Sequence, residues 1–177
     1  MTNITFLLIS LFCAKFIMAQ EQEQTFVTYK DTTKGFLINI PSHWKYGVNK
    51  AMPKLALVAM HIPSTQGETV RNNFNINVVS TSGKNLDQTF ATFRNALKAA
   101  DDFRIVAIGD TTINGAEFKW IIETHTNQVS RKAMLNYDFV TMKGDKTYIL
   151  TLVTSAEAFP EVKSLFENIA QSFRIDH

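Results

Sequence analysis

Residues 146–175 read KTYILTLVTSAEAFPEVKSLFENIAQSFRI, and this run decides the fold. Tyr148, Leu150 and Leu152 alternate onto one pleat face and Ile149 and Val153 onto the other, because successive strand side chains point to opposite sides. A strand that is apolar on both faces needs cover above and below. Downstream, Val162, Leu165, Phe166, Ile169 and Phe173 recur at helical spacing, while Glu161, Lys163, Glu167 and Gln171 face away. Pro160 suits the first turn of that helix, where a missing N–H costs little. The helix supplies one of the two covers.

Working upstream, 131–142 and 146–155 flank Lys143-Gly144-Asp145, which reads as a three-residue connection with glycine where a bulge needs it. One hairpin further back, 103–113 and 116–124 flank Asn114-Gly115, a pair that tolerates positive φ at both turn positions. These runs predict a four-strand meander that ends in the C-terminal helix. Trp120 is in register with Phe118 and Ile122, which puts it on the core face. Before the meander, Asn85 stands ready to cap a helix whose buried stripe is Leu86, Phe90, Phe93 and Leu97. Its wet side carries Gln88, Arg94 and Lys98, and it stops near Ala100.

Phe74, Ile76 and Val78 alternate with Asn75 and Asn77, so that strand shows one face to the core and one to water. Residues 55–62 form an apolar run read as an interior strand, and the polar stretch 63–73 is the longest loop. Nearer the start, 25–29 and 36–40 form a hairpin around a 31–35 turn that ends in Gly35. Pro41 closes the second of these strands, and Trp44 follows where a large ring can cap the end of a core. The expected class is α+β: an antiparallel sheet of about six strands sandwiched between helices. Residues 20–177 make one domain, as a chain of 177 residues allows.

Composition narrows the partners. Hydrophobic content of 45%, charged content of 19% and a net charge of +2 are globular values. Such a balance gives no field that selects nucleic acid or an anionic membrane. Residues 1–19 differ, because Ile4 to Ala14 is an apolar run of signal-peptide length and Ala19 offers a small residue at a cleavage edge. Cleavage after Ala19 leaves a polar QEQEQ terminus, no membrane span and a secreted or periplasmic protein. The one cysteine, Cys13, lies inside the leader, so the remaining chain has no disulfide or thiol chemistry. The preceding Ser10-Leu11-Phe12 lacks the small residue that lipidation of Cys13 would call for.

The run GFLINIPSHW at 35–44 and the pattern Tyr148-Ile149-Leu150-Thr151-Leu152, Phe159, Leu165-Phe166, Ile169, Ser172-Phe173 resemble the start and end of domains in the PsbP-like and DcrB-like superfamily. The resemblance implies an antiparallel sheet between helices, in line with the pattern above. It also implies a protein that binds or assembles others more often than one that catalyses. No binding residue is carried over with it, since Pro41, Trp44 and the C-terminal pattern are packing features.

Chemistry is sparse. His43, His61, His125 and His177 show no spacing suited to a metal, and no elbow serine or phosphate-cradling glycine loop occurs. Asp101 and Asp102 are adjacent, so in extended chain they point apart rather than at one substrate. The sequence therefore predicts a non-catalytic binding or assembly module of the cell envelope, with no cofactor and no metal. Its partner is another protein or a small envelope ligand. The residues expected to bind are Trp44 at a strand end, His61, Gln66 and Glu68 in or beside the 63–73 loop, and His125 and Asn127 in the second polar stretch, 124–130. The alternative is a metal-dependent hydrolase that gathers His43, His61 and His125, with Glu68 or Asp31 beside the first two.

Overall fold

In the computed structural model, which describes residues 24–63, 71–81 and 83–176, ten strands and two helices follow one another in this order. They are β1 (Phe26–Asp31), β2 (Phe36–Pro41), β3 (Lys45–Gly47), β4 (Leu55–Met60), β5 (Asn73–Ser80), α1 (Leu86–Leu97), β6 (Arg104–Ile113), β7 (Ala116–Thr126), β8 (Ala133–Lys143), β9 (Lys146–Ser155), α2 (Phe159–Gln171) and β10 (Arg174–Ile175). Seven strands form one antiparallel sheet in the order β3-β4-β5-β9-β8-β7-β6, and β1-β2-β10 form a second. The sheet is larger than the expected six strands because β3 is only three residues long and lacks an apolar pattern. β10 has two residues and is equally silent in the sequence.

The meander β6-β7-β8-β9 is as the two turns imply. Asn114 (φ 48) and Gly115 (φ 82) both take positive φ, the signature of the tight hairpin. The last turn differs from expectation. Lys143 pairs directly with Lys146, so only Gly144 and Asp145 connect the strands, and glycine takes the positive φ of 60 at the first turn position. β5 then pairs with β9 from Asn73↔Val153 to Ser80↔Lys146, which puts β9 at the centre of the sheet.

Alternation assigns the two faces. Phe74, Ile76, Phe118, Ile122, Tyr137, Phe139, Tyr148, Leu150 and Leu152 share one core with Phe36, Ile38 and Ile40 of β2 and Phe166, Ile169 and Phe173 of the α2 segment. Ile121, Val140 and Ile149 point the other way and meet Phe90, Phe93 and Leu97 of α1. The layers are thus α1, then the large sheet, then α2 with the small sheet. No described helix is long and apolar enough to cross a membrane.

Local chemistry holds the elements at their ends. Asn85 and Gln88 form a reciprocal capping box at the start of α1, so Gln88 is a capping residue as well as a wet one. The hairpin residue Asn114 donates from Nδ2 to the carbonyls of Gln171 and Phe173, each at 2.9 Å, and so caps the end of α2. Tyr148 Oη donates to the Lys34 carbonyl at 2.9 Å, which ties the small sheet to the large one. Trp120 is half-buried rather than enclosed: its ring lies over Gly109 of the edge strand β6, where an added Cβ would stand 2.5 Å from Cζ2.

Leu150 is fully enclosed between β2, α2 and the sheet, so Leu150→Ala is expected to cost about 2–5 kcal/mol in chemical denaturation. Gly109→Ala is expected to cost about 1–3 kcal/mol by overpacking against Trp120. A thermal or urea melt of each variant checks both values.

Candidate functional site

Pairing β5 with β9 brings the long connections together. The β4–β5 connection leaves Met60 and returns at Asn73, and Asn73 lies opposite Val153 near the C-terminal end of β9. The β7–β8 connection runs from Thr126 to Ala133, next to Met134↔Ser155 at the same end of β9. The turn from β2 into β3 joins them, since Lys45 lies opposite Met60.

At this end an aromatic ladder climbs from the core to the surface. Trp44 packs on Phe74 with ring centroids 6.0 Å apart, His61 on Trp44 at 6.3 Å, and His43 edge-on to His61 at 5.4 Å. Trp44, expected to bind from a strand end, is instead part of the core. It is only 5% exposed, because Pro41 turns the chain and the Trp44 N–H donates back to the Pro41 carbonyl. His43 is the exposed end of the ladder; burial and then the neighbouring His61 charge hold its imidazole below the usual histidine range. Gln24 meets His43 Nδ1 at 3.3 Å. The seam below is closed by Thr154, whose hydroxyl donates to Asn72 Oδ1 at 2.7 Å.

The other expected residues part company. Asn127 is committed to its own turn: its Oδ1 accepts from the Val129 and Ser130 N–H groups at 3.0 and 2.9 Å. Gln66 and Glu68 lie outside the described residues, as do Cys13, the leader and His177. His125 sits on β7, about 19 Å from β4 across four strand spacings. The structure therefore joins His61 to His43 and Trp44 but leaves His125 apart. Among the described residues no group of three or more His, Cys, Asp or Glu side chains is placed to hold a metal ion.

His125 belongs to a second cluster that sequence reasoning missed. On the α1 side of the sheet, Glu123 of β7 lies opposite Asn136 of β8, and Asp138 of β8 lies opposite Thr151 of β9. Glu123 and Asp138 are each 1% exposed. His125 Nδ1 is 3.2 Å from both Glu123 carboxylate oxygens, and Thr151 Oγ1 donates to Asp138 Oδ1 at 2.5 Å. Burial pushes Glu123 up, against the pull of His125 and Asn136. Burial raises Asp138 from 3.8 to about 7, assisted by the Glu123 charge and opposed by the Thr151 hydrogen bond. Part of the signal was available: by period two Glu123 shares a face with Ile121 on β7, and Asp138 shares one with Val140 on β8. Neither carboxyl opens to a substrate, so the pair is an interior feature of the sheet.

An open groove of about 390 Å³ lies between the start of α1 and the β6–β7 hairpin. Three of its charged residues are already paired, with Lys119 Nζ 2.8 Å from Asp87 and 3.0 Å from Asp110. Among the described residues, none of those expected to bind lines it.

The family model for PsbP matches residues 24–175. The chain belongs to the PsbP family. No curated protein sequence matches it. The PsbP fold is shared with cyanobacterial PsbP (CyanoP) of Synechocystis sp. PCC 6803, at a TM-score of 0.61 and 18% identity over 86% of this chain and 93% of that one. LpqN of Mycobacterium tuberculosis, described as involved in cell envelope biogenesis, matches at 0.59 and 9% identity over 89% and 88% of the two chains. The Saccharomyces cerevisiae Ran-binding protein Mog1p matches at 0.58 and 9% identity over 86% and 96%. At these identities the likeness is one of fold.

The buried Asp138 is expected to make the stability of this PsbP domain pH-dependent. Because its folded pKa is raised, the folded state holds a proton that the unfolded chain gives up. That contribution is fully present below about pH 4 and is lost as pH rises to about 7. The loss is at most about 4 kcal/mol. Urea titrations at successive pH values are expected to show it, and Asp138→Asn to flatten the curve.

Proposed function

We propose that the protein is an exported, non-catalytic binding or assembly module of the cell envelope that meets its partner with the loop end of the sheet. The observation that carries this reading is the convergence of the β4–β5 and β7–β8 connections beside the His43–His61–Trp44 ladder. Long connections on a rigid sheet are where recognition usually sits. The surface there is suited to a protein partner, because Val129 at the tip of the 127–131 turn is almost wholly exposed, flanked by Ser130 and Arg131. Relatives of the same fold named for envelope biogenesis and for Ran binding support a protein-binding role over a catalytic one. So does the separation of His125 from His43 and His61, the three histidines that the hydrolase alternative gathers. Export rests on the apolar stretch before Ala19 and the charged, cysteine-free remainder.

Two measurements test the reading. Cross-linking and pull-down from the native envelope is run with wild type and with a chain whose 64–70 segment is replaced by Gly-Ser. That replacement spares Asn72 and its bond to Thr154. Loss of the captured partner from the variant is expected; recovery of the same partners from both removes the loop from the binding surface. If neither chain captures a protein, the partner is a small ligand instead. Intact-mass measurement of the secreted form is expected to give a chain that begins at Gln20, whereas a mass beginning at Met1 overturns export.

A further inference from the structure

We propose that Asp138 is a neutral carboxylic acid in the folded protein and that its ionisation loosens α1 from the sheet, which makes α1 a proton-controlled cover over Ile121, Val140 and Ile149. The geometry is that of a charge site with no counter-charge. Asp138 has Ile121 as its cross-strand partner on one side and Thr151 on the other, and Val140 follows it on the same face. α1 packs on β8 above this patch, and Ile121 and Val140 are fully buried beneath it. Asp138 Oδ1 accepts from Thr151, while Oδ2 is enclosed and accepts from no donor among the described residues.

Among the described residues no neighbouring element offsets a negative charge there. β9 presents the uncharged Thr151, and β8 itself presents Asn136. β7 presents Glu123, which is of like charge and buried, and beyond it His125, which is spent on Glu123. Lys119 of β7 lies on the same face but is drawn to Asp87 and Asp110. α1 carries two charged side chains, that same Asp87 and the half-buried Arg94, and the charge that acts on Asp138 is that of Glu123. An ionised carboxylate enclosed without a partner is costly until water reaches it.

α1 is the element that can admit that water. Its buried side chains are only Thr89 and Phe90, with Leu86, Phe93 and Leu97 partly covered. Its start is tied by the Asp87–Lys119 pair, in which Asp87 is largely exposed, so the tie is weak. α2, by contrast, contributes Phe166, Ile169 and Ala170 to the main core. Local opening of α1 therefore lies well below global unfolding.

Hydrogen exchange read by mass spectrometry tests this on the full folded domain. Protection of the 86–97 peptide, corrected for intrinsic rate, is compared with that of 159–171 at about pH 5 and about pH 8. We expect the intrinsic-rate-corrected protection of α1 to fall by at least about tenfold on going to the higher pH, about 1.4 kcal/mol, in step with the fall in α2 that tracks global stability. Asp138→Asn is expected to remove the fall in α1. Unchanged α1 protection while α2 loses its own, or the same pH dependence of α1 in the variant, overturns the proposal. Should the variant not fold, carbon-detected NMR titration of the wild-type Asp138 carboxyl decides. A midpoint above about pH 5.5 supports the neutral acid, and one at or below it overturns it.

Discussion

The central strand β9 has apolar side chains on both faces, and that single constraint orders the molecule. Tyr148, Leu150 and Leu152 lose almost all contact with water, and Ile149 on the opposite face packs beneath α1. At about 25 cal/mol per Å² of apolar surface removed from water, leaving either face uncovered would forgo several kcal/mol. The chain meets the demand with two unlike layers. One is a small sheet and α2, which are rich in aromatic rings; the other is a single thin helix.

The thick layer is bound to the sheet by specific contacts as well as by burial. Phe36 stacks on Phe173 at 5.7 Å, and Phe118 meets Phe173 edge-on at 6.0 Å. Ser172 Oγ accepts from the Asn39 N–H and donates to the Ile169 carbonyl, so one hydroxyl links β2 to the end of α2. Among the described residues the thin layer is tied to the sheet by the Asp87–Lys119 pair at its start. Beneath it lie two carboxyls that a purely apolar sheet would not contain, and polar groups buried without full satisfaction are where a fold is weakest. The asymmetry separates the two sides by role: one maintains the domain, and the other is free to respond.

The exposed edge β6 fits the same picture. Ile105, Val106 and Ile108 face water along it, yet the register slips between Ile105 and Ala107, and such a bulge twists an edge away from flat pairing. The loop end lies across the ends of the central strands, where the backbone is no longer bound into the ladder and side chains can vary without disturbing the core.

What the sequence determined by itself was local. Period-two and period-3.6 patterns placed β9, α2, α1 and the meander, and Asn114-Gly115 marked its turn, because these depend on neighbours within a few residues. Short or unpatterned pieces such as Lys45–Gly47 and Arg174–Ile175 left no trace, since their strand state comes from the partners they pair with. The tertiary structure alone decided that β5 joins β9 past three intervening strands. From that pairing follows the meeting of two distant loops at one end, and the pairing of β3 with β4 brings His43 to His61 there. It also decided that Glu123 and Asp138, fifteen residues apart on a hairpin, share one dry face. Their burial depends on which helix lies above them, and a contact between elements far apart in the chain leaves no periodicity within either one.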